Sequence, residues 1–390
     1  MTSGSLMLAV RHARHHPART LLLIACVTIT FLVPIITQLV SRHFEQALTA
    51  RARSTPVAIG AAGSRFDLVL AALYFRRSSL RTLSMADYES LRDAAAGTMI
   101  PVNTRFTARG LPIVAASADY AAFRGLRCSA GAMPALVGQC VLGASAARLL
   151  GLGAGDTLYS DQLELYNLAR PAAFKMHITG VLAPHSSPDD LAVLTDIKTA
   201  WVLEGLSHSH ADAAQTIPPA LILDRSDSSV VVSESFVENN EVTAKSASTL
   251  HLHASSQQLP LSCILFVPET PKEATILSAR LNAGRELQAV APSEVIDELL
   301  GYVVRVRSLL NVLAIIMAAM TITLLSLVTA LSVKVRQREV DTLRRLGASS
   351  RTIVMLFGWD CGCIIGAGAL AAVGLAAAIW TTLPDPVKLM

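Results

Sequence analysis

The chain has 390 residues, 52% hydrophobic, 16% charged and 5% aromatic, with a formal net charge of +4. Globular chains carry roughly 25% charged residues, so this balance argues against a wholly water-surrounded protein, and so small a charge against a basic nucleic-acid binder. A mean hydropathy of +0.48 puts the surplus in Leu, Ala, Val and Ile, the residues of lipid-facing helices.

From Leu21 to Val40 no side chain is ionised, and twenty residues at about 1.5 Å each cover the roughly 30 Å of a hydrocarbon core. Arg11, Arg14 and Arg19 precede this run, which puts its start at the cytoplasmic face by the positive-inside tendency. His12, His15 and His16 stand among them, suited to lipid headgroups. A cleaved signal peptide also begins with basic residues, but its apolar core runs about 7 to 15 residues and ends at a small-residue cleavage site. Phe44, Leu48 and Ala52 recur at helical spacing, so residues 44–53 extend the crossing, either as a stalk or as an ordinary helix end. Glu294 to Tyr302 reads the same way on the return.

Residues 42–304 are too many for a loop and alternate short apolar runs with helix signals, the signature of a mixed α/β domain. Strands are expected at Asp67–Leu70, Pro112–Ala116, Gln139–Gly143, Lys175–Leu182, Ala220–Asp224 and Cys263–Val267. Ser84 with Asp87 begins a helix running to about Ala95, and Thr270, Pro271 and Glu273 form a capping box with proline at the first helical position. Ser145–Leu150 is a short helix stopped by Gly151. Residues 207–258 turn polar and Ser-rich and read as a mobile insertion with a hairpin at most. His208 with His210, and His251 with His253, lie two apart, which on a strand puts each pair on one face. Solvated histidines are the simpler reading, because no Cys or carboxylate at recognisable spacing completes a metal site.

Two further apolar segments follow, at about Ser308–Val333 and Thr352–Trp380, separated by a basic stretch from Lys334 to Arg351. That stretch holds Lys334, Arg336, Arg338, Arg344, Arg345 and Arg351 against Glu339 and Asp341, so it belongs to the cytoplasm. Alternation then places residues 42–304 outside and the tail from Thr381 outside. The expected organisation is 1–41 with the first crossing, 42–304 as the exterior domain, and 305–390 with two crossings around loop 334–351.

Gly358, Gly362 and Gly366 repeat every fourth residue, a flat stripe suited to another helix, most simply one of a second subunit. Asp360 lies within this third segment, where an ionisable group faces protein or water, or else snorkels to the boundary. Cys26, Cys361 and Cys363 fall in the apolar segments and act as small hydrophobes. Of Cys128, Cys140 and Cys263 outside, Cys128 and Cys140 are closest in sequence; a disulfide between them and free thiols both stand open. No G-x-x-x-x-G-K-[ST] cradle, G-x-S-x-G elbow or H-E-x-x-H pair occurs, so no catalytic site is argued in this chain.

Residues 335–351 read Val-Arg-Gln-Arg-Glu-Val-Asp-Thr-Leu-Arg-Arg-Leu-Gly-Ala-Ser-Ser-Arg. This resembles the R-x-R-E…L-R-x-L-G-A-S segment of the MacB/FtsX-type, or type VII, ABC transporter permeases. Asp67–Leu70, Val141–Ala144, Leu150–Leu158 and Ile178–Leu182 are similar to the exterior core of that family, and Asp190–Trp201 to its DevC and haem-export branch. The resemblance covers nearly the whole chain apart from residues 207–258. It implies an α-helical membrane protein with three transmembrane helices and a large extracytoplasmic α/β domain, MacB periplasmic core-like, between the first two. It also implies a location in the bacterial inner membrane with the amino terminus cytoplasmic. The docking residues for a separate ABC-type ATPase are then Arg336, Arg338, Glu339, Leu343, Arg344, Arg345, Leu346 and Gly347. ATP and Mg belong to that ATPase, and this chain needs no cofactor or metal of its own.

A second permease copy, identical or not, is implied as well. The family has four membrane helices, whereas this chain stops ten residues after its third apolar segment; the fourth is either lost or supplied by a partner. Two functions fit: a permease subunit coupling ATP hydrolysis to an exterior domain for efflux or extraction, or a regulatory membrane subunit that recruits an extracytoplasmic partner or adaptor.

Overall fold

A computed structural model describes residues 11, 15, 17–161, 173–209, 222–226, 229–232, 241–242, 250–252, 254–335, 337–345, 347 and 349–382. They divide into two compact units, one holding residues up to Gln46 and from Leu299 onward, the other Ala47–Glu298.

The second unit is an α/β domain. Its amino-terminal half runs from the end of helix α1 (Pro17–Arg53) through β1 (Val57–Ala61), α2 (Arg65–Tyr74), β2 (Leu83–Ser84), α3 (Met85–Ala94), β3 (Gly97–Asn103), β4 (Thr107–Ala108), β5 (Leu111–Ala116) and α4 (Asp119–Arg124). Then come β6 (Cys128–Gly131), β7 (Gln139–Leu142), α5 (Ala144–Leu150), β8 (Thr157–Tyr159), β9 (Lys175–Leu182), a 3-10 turn at Pro188–Leu191, β10 (Val193–Asp196) and α6 (Ile197–Leu203). After β11 (Ser207–Ser209), β12 (Ile222–Ser226), β13 (Ser229–Val232) and β14 (Leu250–Leu252), the chain returns through β15 (Pro260–Leu261), β16 (Cys263–Pro268), α7 (Pro271–Ala283) and β17 (Leu287–Val290) into α8 (Pro292–Val335).

Among the described residues one mixed sheet has the order β17-β1-β16-β3-β5-β10-β7-β9-β6, with β4 beside β5 and β8 beside β9. Pairings are antiparallel except β5 with β10 and β7 with β9. Strand β9 alternates half-exposed and buried positions along its whole length, the period of two that a sheet with one buried face demands. Two apolar cores lie side by side on one face of the sheet, since Ile113 of one and Ala115 of the other are two apart on β5. One gathers Ile113, Leu142, Leu158, Met176, Ile178 and Val193; the other gathers Ile59, Met99, Ile264, Phe266, Trp201 and Leu277.

Two expectations are corrected, and one question left open by the sequence is answered. Asp67–Leu70 is helical, within α2: Ser64 accepts the Asp67 N–H at 3.2 Å as N-cap, and the buried run Leu68–Leu73 is continuous. A short apolar run does not by itself distinguish strand from helix. Residues 207–258 hold more than one hairpin, since β12 pairs β13 while β11 pairs β14, with His208 opposite His251. Val242 there is buried in the first core. Its neighbour Glu241 binds Lys175 at 3.0 Å and His177 at 2.6 Å, and its carboxyl is held below the usual range, chiefly by the Lys175 hydrogen bond. His210, His253 and Ala220 lie outside the described residues. Finally, Cys128 and Cys140 are free thiols, and β6 and β7 flank opposite sides of β9, which separates them. The helix starts follow their caps. Ser84 and Asp87 make the reciprocal box, and Thr270 accepts the Glu273 N–H with Pro271 at the first turn.

The first unit is helical. Among the described residues three helices are long and apolar enough to cross a membrane: α1, α8 and α10 (Ser350–Thr382). Between the last two lies the short α9 (Gln337–Arg345). Leu23, Val27, Leu325 and Ile364 form the shared core of the three. Helix α1 carries an internal proline, Pro34.

In the α/β domain, a Cβ on Gly143 would meet the Asp189 carbonyl oxygen at 2.2 Å and the Asp190 carbonyl carbon at 2.4 Å, both backbone. Gly143→Ala should therefore destabilise the full chain by about 1–3 kcal/mol, read as a lower midpoint of chemical denaturation in detergent. Gly153→Ala, which meets open space, should leave the midpoint in place.

Candidate functional site

Helix α9 is short, and its described side chains at Gln337, Arg338, Asp341, Thr342, Arg344 and Arg345 are exposed, with Val340 half-buried. Gly347 stops it at φ 91°, donating its N–H to the Arg344 carbonyl at 3.0 Å. Glycine reaches that left-handed region without a Cβ clash. Ser349 then opens α10, accepting the Thr352 N–H at 3.2 Å. The backbone of Glu339 and Leu343 lies in α9, whereas Arg336 and Leu346 lie outside the described residues. The unit therefore presents a row of cations on a helix bounded by two membrane-length helices.

In the helical unit Asp360 sits 3.7 Å from Arg19, with side chains 13% and 29% exposed, so this carboxylate faces protein. Gly358, Gly362 and Gly366 are exposed, and a Cβ at any of them meets nothing within 4 Å. Close packing falls to Gly368, which the sequence reading missed: its site for a Cβ lies 2.6 Å from Val27, and Thr28 donates to its carbonyl at 3.2 Å. Thr30 and Thr321 share a hydroxyl bond of 2.8 Å. Together with Gln38 and Asn311 they are the polar members of a groove of about 710 Å³ otherwise lined by residues such as Phe31 and Ile315. Arg307 meets both Gln38 and Glu45.

The α/β domain contains a cluster that sequence reading did not find. Arg51, in the last turn of α1, sends Nη1 to Asp189 Oδ2 at 2.6 Å and Nη2 to Asp189 Oδ1 at 3.2 Å. Tyr120 donates its hydroxyl to Asp189 Oδ1 at 2.7 Å, and Arg124 Nη1 reaches Thr55 Oγ1 at 2.8 Å. All four of Arg51, Tyr120, Arg124 and Asp189 are buried, Asp189 completely. Phe75, held at φ 57°, lays its ring 5.8 Å from the Arg51 guanidinium, and Phe123 lies 4.5 Å from that of Arg124. Burial, the largest influence, opposes ionisation of Asp189, yet the Arg51 charge and hydrogen bonds outweigh it and hold the carboxyl below its usual range. Burial, then the adjacent Asp189, raises the Tyr120 phenol. Burial pushes the Cys140 and Cys263 thiols up to about 12. One sequence signal for the cluster existed: Arg51 stands between Leu48 and Ala52 on what is otherwise an apolar face.

Among the described residues no group of three or more His, Cys, Asp or Glu is placed to hold a metal ion.

A carboxyl depressed by its native partners contributes stability that is present above the unfolded value of about 3.9 and is lost as pH falls through the folded one. Denaturation midpoints of the full chain should accordingly hold from neutral pH to about pH 5 and fall below it. Asp189→Asn, which strands Arg51 in the interior, should cost about 3–5 kcal/mol at pH 7 and remove part of that acid dependence. An unaltered acid limb in the variant would show that other carboxylates set it.

No family model matches the chain, and no curated protein does. Among solved structures the chain is similar to the periplasmic region of MacB from Actinobacillus actinomycetemcomitans, at 9% identity and a TM-score of 0.37, over 65% of this chain and 97% of that one.

Proposed function

We propose that this chain is a non-catalytic permease-type subunit of a bacterial ABC complex, in which a separate ATPase grips α9 and the resulting movement reaches the α/β domain through the two helices that enter it. The observation carrying this reading is the exposed, cation-rich α9, ended by Gly347 and lying between two helices of membrane length. Its sequence is also the stretch that resembles the family's coupling segment. Helices α1 and α8 each run without a break from a membrane-length apolar segment into the α/β domain, at Arg53 and from Pro292. A continuous helix keeps every internal backbone bond, except at proline, and so transmits displacement along its axis.

In this reading the chain sits in the inner membrane with residues 42–304 outside and α9 in the cytoplasm, and it works with a second permease copy. ATP and Mg are bound by the partner. Cargo is expelled, or drawn from the outer leaflet, by the α/β domain rather than along a continuous channel. One observation favours the rival of a regulatory subunit without transport. The Ser-rich insertion is tied to the domain by the Glu241 contacts and by buried Val242, which gives an exterior partner a fixed place to dock.

Purification of the intact chain from membranes should bring along an ATP-hydrolysing subunit. Leu346→Asp or Glu339→Arg, removing an anchor of the kind that costs about 2 kcal/mol or more in protein interfaces, should lower ATP turnover of the complex several-fold while the α/β domain stays folded by circular dichroism. Unchanged turnover counts against α9 as the docking element. Limited proteolysis of sealed vesicles provides a second check: cleavage at Arg344 and within residues 47–298 should require access from opposite sides, and cleavage of both from one side would overturn the topology.

A further inference from the structure

We propose that the groove between α1 and α8 seats a resident phospholipid of the leaflet on the α/β-domain side, with an acyl chain lying in the groove and the phosphate meeting Arg42 and Asn311 at its polar end. Such a site goes beyond the lever reading above and requires only that α1 and α8 cross a membrane.

The groove follows from residue spacing. Asn311, Ala314, Ala318, Thr321 and Leu325 recur at intervals of three and four along one face of α8, and Val27, Phe31, Pro34 and Gln38 do so along α1. Ala314 and Ala318 are short, so the helices leave a trough of about 710 Å³ between larger neighbours, within the roughly 300–1,000 Å³ that holds a small ligand. Phe31, Ile315 and Ile322 line the trough and are themselves exposed, so it is open along its side. A molecule already dissolved in hydrocarbon can enter without passing through water.

Its length selects the occupant. From Val27 to Gln38 it covers about 16 Å of α1, and from Asn311 to Leu325 about 21 Å of α8, at about 1.5 Å per residue. Both spans are closer to one leaflet's share of the roughly 30 Å hydrocarbon layer than to the whole of it. A transmembrane helix of a partner needs the full thickness; a lipid tail needs one leaflet.

Polarity is graded along the same line. Thr30 and Thr321 satisfy each other in the middle, and Gln38 accepts from Arg307, whose charge also meets Glu45. That leaves the half-buried amide of Asn311, near the start of the second apolar segment, with no partner among the described residues. An amide without a hydrogen bond is costly at the edge of hydrocarbon. Arg42 lies one helical turn past Gln38 on the same face, is exposed, and meets no carboxylate among the described residues. A cation and an amide at the end of an apolar trough match a phosphodiester with its ester-linked chain. The Asn311 amide donates to an ester or phosphate oxygen, and the Arg42 guanidinium offers a charge-assisted bond to the phosphate.

The test takes the full chain out of nanodiscs holding equal phosphatidylglycerol and phosphatidylcholine, washes it in detergent and identifies by native mass spectrometry the lipid that stays. A phospholipid should remain on the parent chain, with phosphatidylglycerol preferred. Ala318→Phe, which overfills the trough, should lower retention about fivefold or more. Arg42→Gln should keep a bound phospholipid but cut the preference for phosphatidylglycerol about fivefold. Arg305→Gln, exposed on the same side of α8's apolar segment but off the groove face by helical count, should change neither. Because Arg42 is exposed, its variant decides the matter if Ala318→Phe does not fold. A parent chain stripped clean by the wash, a retained acyl compound lacking phosphate, undiminished retention in folded Ala318→Phe, or equal shifts in the two arginine variants overturns the site. No ATPase enters the measurement, so an empty groove and a missing ATPase partner are separate results.

Discussion

Hydrocarbon offers no partner for a peptide N–H or C=O, and this constraint organises the molecule. A chain that is to cross such a layer must satisfy its backbone internally, so the apolar runs of α1, α8 and α10 are helices before any tertiary contact is made. With helices alike in their greasy surfaces, association falls to small residues and hydroxyls: Gly368 against Val27, Thr28 on the Gly368 carbonyl, Thr30 on Thr321. Large side chains such as Leu309, Ile315 and Leu327 stay exposed, as suits surfaces that meet lipid or another helix.

The α/β domain obeys the opposite solvent rule. There the sheet is packed on apolar cores along its length, and the costly feature is charge in the interior. Arg51 and Asp189 are tolerated because each supplies the other's counter-charge and Tyr120 takes a further lone pair. Two chemistries thus meet in one helix, whose early turns are selected for apolarity and whose last turn is selected for a directed contact.

Legibility followed the same division. The membrane segments were plain from the sequence because twenty uncharged residues have few other uses, and the starts at Ser84 and Thr270 were plain because a cap is local chemistry. The period-two pattern of β9 was likewise readable. Asp67–Leu70 misled because three apolar residues after an Asp fit a strand and a buried helix equally, and the deciding Ser64 cap lay just outside the run. The order of strands in the sheet, and the meeting of Arg51 with Asp189 across 138 residues, depend on long-range pairing that no local window contains. The glycine stripe, read as a face for a second subunit, meets nothing within the chain, and the intrachain close approach is made at Gly368, which no spacing rule singled out.

The thiols of the α/β domain have a bearing on how its shape is kept. Cys140 and Cys263 are sealed within the sheet and hold their protons tightly, and an unionised, inaccessible sulfur is a poor substrate for oxidants. Cys128, half-buried on the far side of β9, has no neighbouring sulfur to attack. Once the domain has folded, its shape therefore draws nothing from a cross-link between these sulfurs and is indifferent to the redox poise around it.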